Sequence, residues 1–359
     1  MQASIAADRR PVAFDHEREQ EQGLLERLRS APTAAIGKWP TPLQRFDRRG
    51  RCDLLVKRDD LSGFGRGGAK TRKISHLLGH LRARGYDELL AVAGNITNLA
   101  FDLAAAERTC GFRTRVFIVD DPPAPPAERE RIFAGVRDRV LLLGPSRVTA
   151  AATVLRAAWA SRRAGGRPFV ALPGASHPAS VIGNACGFLE MVEQLDLAGA
   201  PLPRAVYVTA ATGTMVAGFL LAAEALAAAG RPRIAVRGVQ AYPGAVAWRA
   251  WGLLRWTERF LESSGASSRR APVGPADFVT SPRGFAEFEP EVTSVCARVR
   301  DEAGIDVDPI FGGKSWRAME LDAAANAPGE RPLLYWHCGY TPEWQTLCGW
   351  VGRGDRRAA

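Results

Sequence analysis

The feature that most limits what this chain can fold into is a rhythm. Short apolar runs alternate with longer stretches whose apolar residues recur at helical spacing. The spacing predicts strands over 54–58, 89–93, 114–119, 140–143, 168–172, 205–209, 234–239 and 333–336. Between them it predicts helices over 71–84, 98–107, 125–134, 148–163, 180–195 and 214–229, with two more over 291–302 and 315–325. In the first of these helices Ile74, Leu77, Leu78 and Leu81 share one face. Strands separated by helices of this length pair in parallel through right-handed crossovers. The fold class is therefore α/β, and 359 residues are enough for two lobes. The charged stretch 1–30 reads as a leader, 264–275 as a loop of small residues, and the end after Gly352 as a frayed tail.

Charge and cysteine usage remove several functions. The formal charge of +10 comes from scattered arginines, such as Arg9-Arg10 and Arg162-Arg163. No basic helix or finger spacing accompanies them, so a nucleic-acid partner is not expected. The plainer meaning is a surface biased toward anionic ligands. Six cysteines stand far apart, with no CxxC pair and no histidine cluster, so no metal site is expected. The N-terminal stretch lacks the apolar core of a signal peptide, and no apolar run approaches the roughly 20 residues of a membrane span. The expected setting is cytoplasmic, with reduced thiols and no membrane contact.

Against the arginine-rich background, lysine is scarce: Lys38, Lys57, Lys70, Lys73 and Lys314 are the whole set. Such a chain keeps lysine where a primary amine or a compact charge is needed. Two of them fall in Gly67-Gly68-Ala69-Lys70-Thr71-Arg72-Lys73, a glycine pair leading into a helix. That places an amine at a helix N-terminus, a setting suited to a Schiff-base lysine whose partner carries a phosphate. Two lysines decorating an exposed first turn is an equally good account of this segment alone.

Three further segments carry chemistry. Ala93-Gly94-Asn95-Ile96-Thr97-Asn98 follows a strand, and its amides and side chains suit a carboxylate or a ring oxygen; an ordinary helix cap is the alternative. Thr209-Ala210-Ala211-Thr212-Gly213-Thr214 is a strand-to-helix turn rich in hydroxyls. It lacks a Walker lysine and a GxGxxG pattern, so a monophosphate suits it better than a nucleotide. The alternative is a packing turn of small residues. Near the C-terminus, Asp308-Pro309-Ile310-Phe311-Gly312-Gly313-Lys314-Ser315 and His337-Cys338-Gly339-Tyr340 both read as turns. Taken singly, Lys314 reads as structural and His337 as a satisfied core histidine.

A Schiff-base lysine, a monophosphate cup and a carboxylate loop are together what an enzyme using pyridoxal 5'-phosphate needs to act on an amino acid. The order Lys57-Arg58-Asp59-Asp60, Gly67 to Lys73, Gly94 to Asn98, Thr212-Gly213-Thr214, Asp308-Pro309, Gly312 to Ser315 and His337-Cys338-Gly339 resembles the 1-aminocyclopropane-1-carboxylate (ACC) deaminase and D-cysteine desulfhydrase family. That family belongs to the tryptophan-synthase-β-like, fold type II enzymes of this cofactor. The likeness runs from about Pro40 to Leu347, and GGxKTRK is its most specific piece.

The resemblance implies two lobes, each with a mostly parallel sheet flanked by helices. The larger would comprise 15–83 plus 178–352 and the smaller 84–177, with tails at 1–14 and 353–359. It implies pyridoxal 5'-phosphate, a small amino-acid substrate and a homodimer. Lys70 matches the internal-aldimine lysine and Lys73 a second, non-aldimine lysine. Thr97 stands where the family usually has serine in its carboxylate loop, and Asn98 matches the asparagine beside the ring oxygen. Thr212, Gly213 and Thr214 match the phosphate cup, and Met215 stands where a further hydroxyl is common.

Departures mark the pocket. The family's tyrosine, with glutamate or threonine after it, is matched here by Phe311-Gly312. Phe311 can pack beside the cofactor but carries no acid–base hydroxyl, and Gly312 removes a partner for the pyridine nitrogen, which Cys338 is expected to face instead. Leu99 replaces a polar residue, and Tyr340 replaces the usual second glycine. The expected activity is that of an eliminating lyase or deaminase, with Lys70, Thr97 and Tyr340 as catalytic candidates. The alternatives are a β-replacement synthase of the cysteine-synthase type and a non-catalytic relative that only binds the cofactor.

Overall fold

A computed structural model of the chain describes residues 23–46, 54–94, 97–119, 125–144, 146–241, 245–262, 277–280, 289–325, 331–342 and 344. The alternation becomes two sheets. The larger has six strands: β1 (Leu43–Phe46), β2 (Leu54–Arg58), β7 (Ala205–Ala210), β8 (Ala235–Gln240), β9 (Phe278–Thr280) and β10 (Leu333–His337). Their order is β1-β2-β10-β7-β8-β9, parallel throughout except where β1 runs against β2. The smaller holds β3 (Glu88–Gly94), β4 (Arg113–Val119), β5 (Val140–Leu143) and β6 (Pro168–Ala171), all parallel in the order β5-β4-β3-β6.

Helices cover both faces of each sheet. In the larger sheet, the Leu334 and Trp336 side of β10 packs on α6 (Pro178–Leu197), α7 (Thr214–Ala228) and α8 (Val246–Glu262). The Leu333 and Tyr335 side packs on α9 (Pro290–Ala303) and α10 (Gly312–Ala325). This division follows from the two-residue period of a strand. In the smaller sheet, α5 (Arg147–Arg163) covers Leu90 and Phe117, while α3 (Leu99–Cys110) covers Leu89, Ala91 and Ala93. A short helix, α4 (Pro126–Phe133), adds Ile132 and Phe133 to that second core. Residues 23–29 of the leader form a helix, α1, whose Leu24, Leu25 and Leu28 dock on the larger core.

The helix that begins at the lysine motif, α2 (Lys70–Ala83), stands between the two sheets. Ile74, Leu77, Leu78 and Leu81 enter the smaller sheet's core, as their spacing predicts. Its opposite flank carries Arg72 into a buried ionic net. The guanidinium donates to both oxygens of Asp59, at 2.8–3.1 Å, and to both of Glu190, at 2.8 and 2.9 Å. Lys57 donates to Glu190 at 2.5 Å, to Gln194 at 2.6 Å and to the Thr41 carbonyl at 2.7 Å. The Trp336 indole donates to Asp59 at 2.8 Å. Two cations therefore meet two carboxylates away from water, the arrangement that makes buried charge tolerable.

Sequence expectations change at several places, among them the strands β1 and β9, which the spacing does not predict. Gly312 to Ser315 forms the first turn of α10 rather than a turn before it. The helix α8 was not expected, although Val246, Ala250, Leu253, Leu254, Thr257 and Leu261 bury one face at helical spacing. Its tryptophans on the other flank blur that pattern. Cys52, Cys348, the 264–275 loop and the end after Gly352 lie outside the described residues.

Candidate active site

Lys70 is the first residue of α2 and is half-buried. The glycines before it let the chain press on the end of β10. Gly68 takes φ +109°, and a Cβ there would stand 2.3 Å from the Cys338 carbonyl oxygen. No side chain fits such an approach. The next amide, Ala69, donates to the same carbonyl at 3.0 Å. The charge of Lys70 acts on Lys73 in its own helix and on Asp102, Asp308 and Cys338, so three other segments converge on one amine.

Lys73, one turn further, is buried and donates to the Gly174 carbonyl. Burial, then the Lys70 charge, pushes its ammonium down to about 7, with Asp102 acting the other way. Gly174 touches the hydroxyl turn: a Cβ on it would stand 2.6 Å from the Thr212 methyl. Thr212 and Thr214 hydroxyls lie 3.0 Å apart, and Thr214 lies 2.9 Å from the Ser176 hydroxyl. These three hydroxyls surround the start of α7, whose cap residue, Gly213, supplies no side chain to the free amides of the first turn. Gly213 takes φ +84°, and a Cβ there would stand 2.8 Å from the Ala250 amide nitrogen of α8. The glycine is thus needed for helix packing as well as for an open turn.

The carboxylate-loop candidates sit at the start of α3. Thr97 Oγ1 accepts the Leu99 N–H at 3.1 Å, a local cap that leaves its own proton free to donate. Asn98 is buried; it donates to the Tyr340 carbonyl at 3.0 Å and accepts from Arg66 at 3.3 Å. It therefore ties the smaller sheet to the segment after β10. The Tyr340 hydroxyl is 3.2 Å from the Trp344 indole nitrogen, which donates to it, and it also pairs with Arg300. Only the Tyr340 backbone is joined to the Asn98 end of the site by a described hydrogen bond.

On the remaining side, Phe311 is half-buried and joins the smaller core. Its amide, like those of Ile310 and Thr341, donates to Asp308 at 2.8–3.2 Å. Burial nevertheless raises the Asp308 carboxyl to about 6. The side-chain space at Gly312 is taken: a Cβ would stand 2.8 Å from the Tyr335 hydroxyl. Cys338 lies 3.7 Å from Met215, and burial pushes its thiol up to about 12, so it remains protonated. His337 is satisfied at both ring nitrogens, by the Asp306 carbonyl and the Gly339 amide, and is a core histidine. Lys314 is buried in the first turn of α10.

Sequence reasoning missed two members of this region. Ser176 completes the hydroxyl group from a loop 38 residues before Thr214. Asp102 approaches the amines from α3, and its Oδ1 accepts the Arg66 N–H at 3.0 Å. Neither lies in a motif, because contacts distant in sequence bring each of them in.

The donor set fits pyridoxal 5'-phosphate. Hydroxyls and free amides at the start of α7 suit its phosphate, and an accessible primary amine suits its aldehyde. Among the described residues no group of histidine, cysteine and carboxylate side chains could hold a metal ion, and no helix is long and apolar enough to cross a membrane. Residues 34–339 match the family described as Pyridoxal-phosphate dependent enzyme. A Nocardicin C-9' epimerase from Nocardia uniformis subsp. tsuyamanensis is 28% identical, covering 85% of this chain and 91% of the relative. An ACC deaminase from Ralstonia nicotianae is 29% identical, covering 88% and 96%. Among solved structures, an ACC deaminase homologue superposes with a TM-score of 0.75 at 20% identity, over 92% of this chain and 98% of that one.

Proposed function

The chain belongs to the family of pyridoxal-phosphate dependent enzymes, and from that premise we propose that it is an eliminating lyase or deaminase acting on a small amino acid. The observation that carries this reading is Lys73, one turn after Lys70, set across Gly174 from the hydroxyls of Thr212, Thr214 and Ser176. When bound, the cofactor supplies an electron sink for the charge left at the amino acid's α-carbon.

The residues divide the remaining work. The first-turn amides of α7, with Thr212 and Thr214, hold the phosphate where the helix dipole favours an anion. Lys70 would hold the aldehyde end and, as a free amine once the substrate's amino group has replaced it there, would take up the α-proton. Asn98 sits at the ring oxygen, and Thr97 donates its free proton to the substrate carboxylate. Phe311 packs at the ring but can exchange no proton. Cys338, with its thiol protonated, offers a weak donor to the ring nitrogen. Thr97 is the second candidate for returning a proton to product, since the Tyr340 hydroxyl is engaged by Trp344 and Arg300. In this reading the cofactor lies between a larger lobe, 15–83 with 178–352, and a smaller one, 84–177, in a homodimer.

Phe311 argues against ACC as the substrate, because general acid–base groups contribute about 100- to 10,000-fold and this position has none to offer. The test is turnover of D- and L-cysteine, β-chloroalanine, serine and ACC, following ammonia, keto acid and sulfide. Ammonia and keto acid from a substrate with a built-in leaving group, with little from ACC, is the expected result. Efficient 2-oxobutanoate release from ACC would return the protein to plain ACC deamination. Product that forms only with an added thiol or amine would make it a β-replacement synthase. Inversion at the α-carbon without ammonia would make it an epimerase, the activity in the name of the Nocardia relative. No turnover of any amino acid would leave a cofactor-binding protein.

A further inference from the structure

Asp308 has no task in the reading above, yet it joins two walls of the site. It lies in the loop before α10 and is buried. Pro309 has no N–H to offer, and the carboxylate reaches the next two amides. Oδ1 accepts from Ile310 at 3.1 Å and from Phe311 at 2.8 Å. Oδ2 accepts the Thr341 N–H at 3.2 Å, from 33 residues further along the chain. Closing the turn at 308–311 needs only one oxygen, so an asparagine would close it as well. An acid is needed where both oxygens must accept.

The Thr341 N–H belongs to the same peptide group as the Tyr340 carbonyl, and that carbonyl accepts the Asn98 Nδ2–H at 3.0 Å. A peptide group is planar, with its N–H and C=O on opposite edges. Asp308 therefore holds one edge of this plane and Asn98 the other. A charged acceptor on the N–H also polarises the group and strengthens its carbonyl as an acceptor. Asn98 Oδ1 in turn accepts from Arg66 at 3.3 Å. The Asn98 amide is pinned at both ends, and its second Nδ2 proton has one direction left. We propose that Asp308 is a positioning residue of this site: through the 340–341 peptide it fixes the amide of Asn98, and with it the direction of the proton that Asn98 offers the cofactor. The same carboxylate sets the Phe311 turn, so one side chain keeps the apolar and the polar wall of the pocket in register. The inference rests on the reading above, in which Asn98 meets the ring oxygen.

The test is a double-mutant cycle on cofactor affinity, read by titrating full-length apoprotein with pyridoxal 5'-phosphate. It is run at pH 8, where the Asp308 carboxyl, raised by burial to about 6, is ionised. Asp308→Asn keeps an oxygen for Ile310 and Phe311 but sets an NH2 group against the Thr341 N–H. Asn98→Ala removes the residue through which Asp308 acts. Each is expected to weaken binding about tenfold, the size of one hydrogen bond to a charged group, and the double variant by no more than that. A general loss of structure would instead multiply, and a double variant weakened about 100-fold overturns the proposal. Full affinity in Asp308→Asn overturns it as well. If Asp308→Asn does not fold, hydrogen exchange in the wild-type holoenzyme decides: the Thr341 amide should be protected together with those of Ile310 and Phe311. Exchange of Thr341 at the rate of an unstructured peptide overturns the proposal. A parallel borohydride reduction of wild-type protein with pyridoxal 5'-phosphate, followed by peptide mapping, tests the parent reading. A label on Lys73 or Lys314 instead of Lys70 would sink that reading, while a label on Lys70 with independent effects in the cycle would sink the role of Asp308 alone.

Discussion

The helix α2 has buried charge on both flanks, and the two flanks differ. Toward α6, Arg72 and Lys57 meet Asp59 and Glu190 in a net where charges cancel and each carboxylate accepts more than one hydrogen bond. Toward α3, the charges of Lys70 and Lys73 act on Asp102 without a hydrogen bond or ion pair to it, and one carboxylate oxygen has no partner. The first net holds structure, because its charges are matched by one another. The second is incomplete as it stands, and an incomplete set of donors and acceptors is what a ligand can finish. One contiguous motif, Lys70 to Lys73, feeds both.

Three experiments would break or sharpen this contrast. The largest effect is expected from Lys70→Ala, which should cut turnover by about 10,000-fold, the upper range for a proton-transferring group, while leaving the thermal midpoint near that of wild type. A variant that unfolds would place Lys70 in the framework instead. Next, Arg72→Met should leave Asp59 and Glu190 uncompensated and cost about 3–5 kcal/mol in denaturant unfolding. A loss below about 1 kcal/mol would show that the net is dispensable.

The smallest effect is a difference in pH dependence. Burial would raise the Glu190 carboxyl, but Arg72 and Lys57 outweigh it and hold it below its ordinary 4.5. Its stabilisation is present above that value and is lost as acid takes the pH through the lowered one. Asp102 is raised from 3.8 to about 6, chiefly by burial. Its share of stability therefore declines as pH rises from about 4 to 6, by at most about 3 kcal/mol. Glu190→Gln should flatten the acid limb of the stability curve, and Asp102→Asn should remove a decline between pH 4 and 6. Curves of the same shape for both variants would erase the distinction between the two flanks.

Much of this was legible in the chain. The strand–helix alternation points to parallel pairing and the family resemblance to two mostly parallel sheets, and Ile74, Leu77, Leu78 and Leu81 fall on the face that their spacing assigns. The GGxKTRK segment points to Lys70 at a helix start. The division of labour within that segment was not legible, because Arg72 and Lys73 differ in role through what α6 and the Gly174 loop bring to them. Ser176 and Asp102 carry no local signal at all. The glycine pair Gly312-Gly313 read as a turn because glycine is a poor helix former, whereas packing sets it: a Cβ on Gly313 would stand 2.5 Å from the Cys296 sulfur.

The two flanks of α2 also differ mechanically. On one side it is bolted: ionic hydrogen bonds fix distance and direction at once, so α2 and the larger sheet behave as a single frame. On the other side it is greased, since contacts among Ile74, Leu77, Leu78 and Leu81 and the smaller core have no preferred direction. The hydrogen bonds that cross beside that flank, from Lys73 to the Gly174 carbonyl and from Asn98 to the Tyr340 carbonyl, both lie at the candidate site.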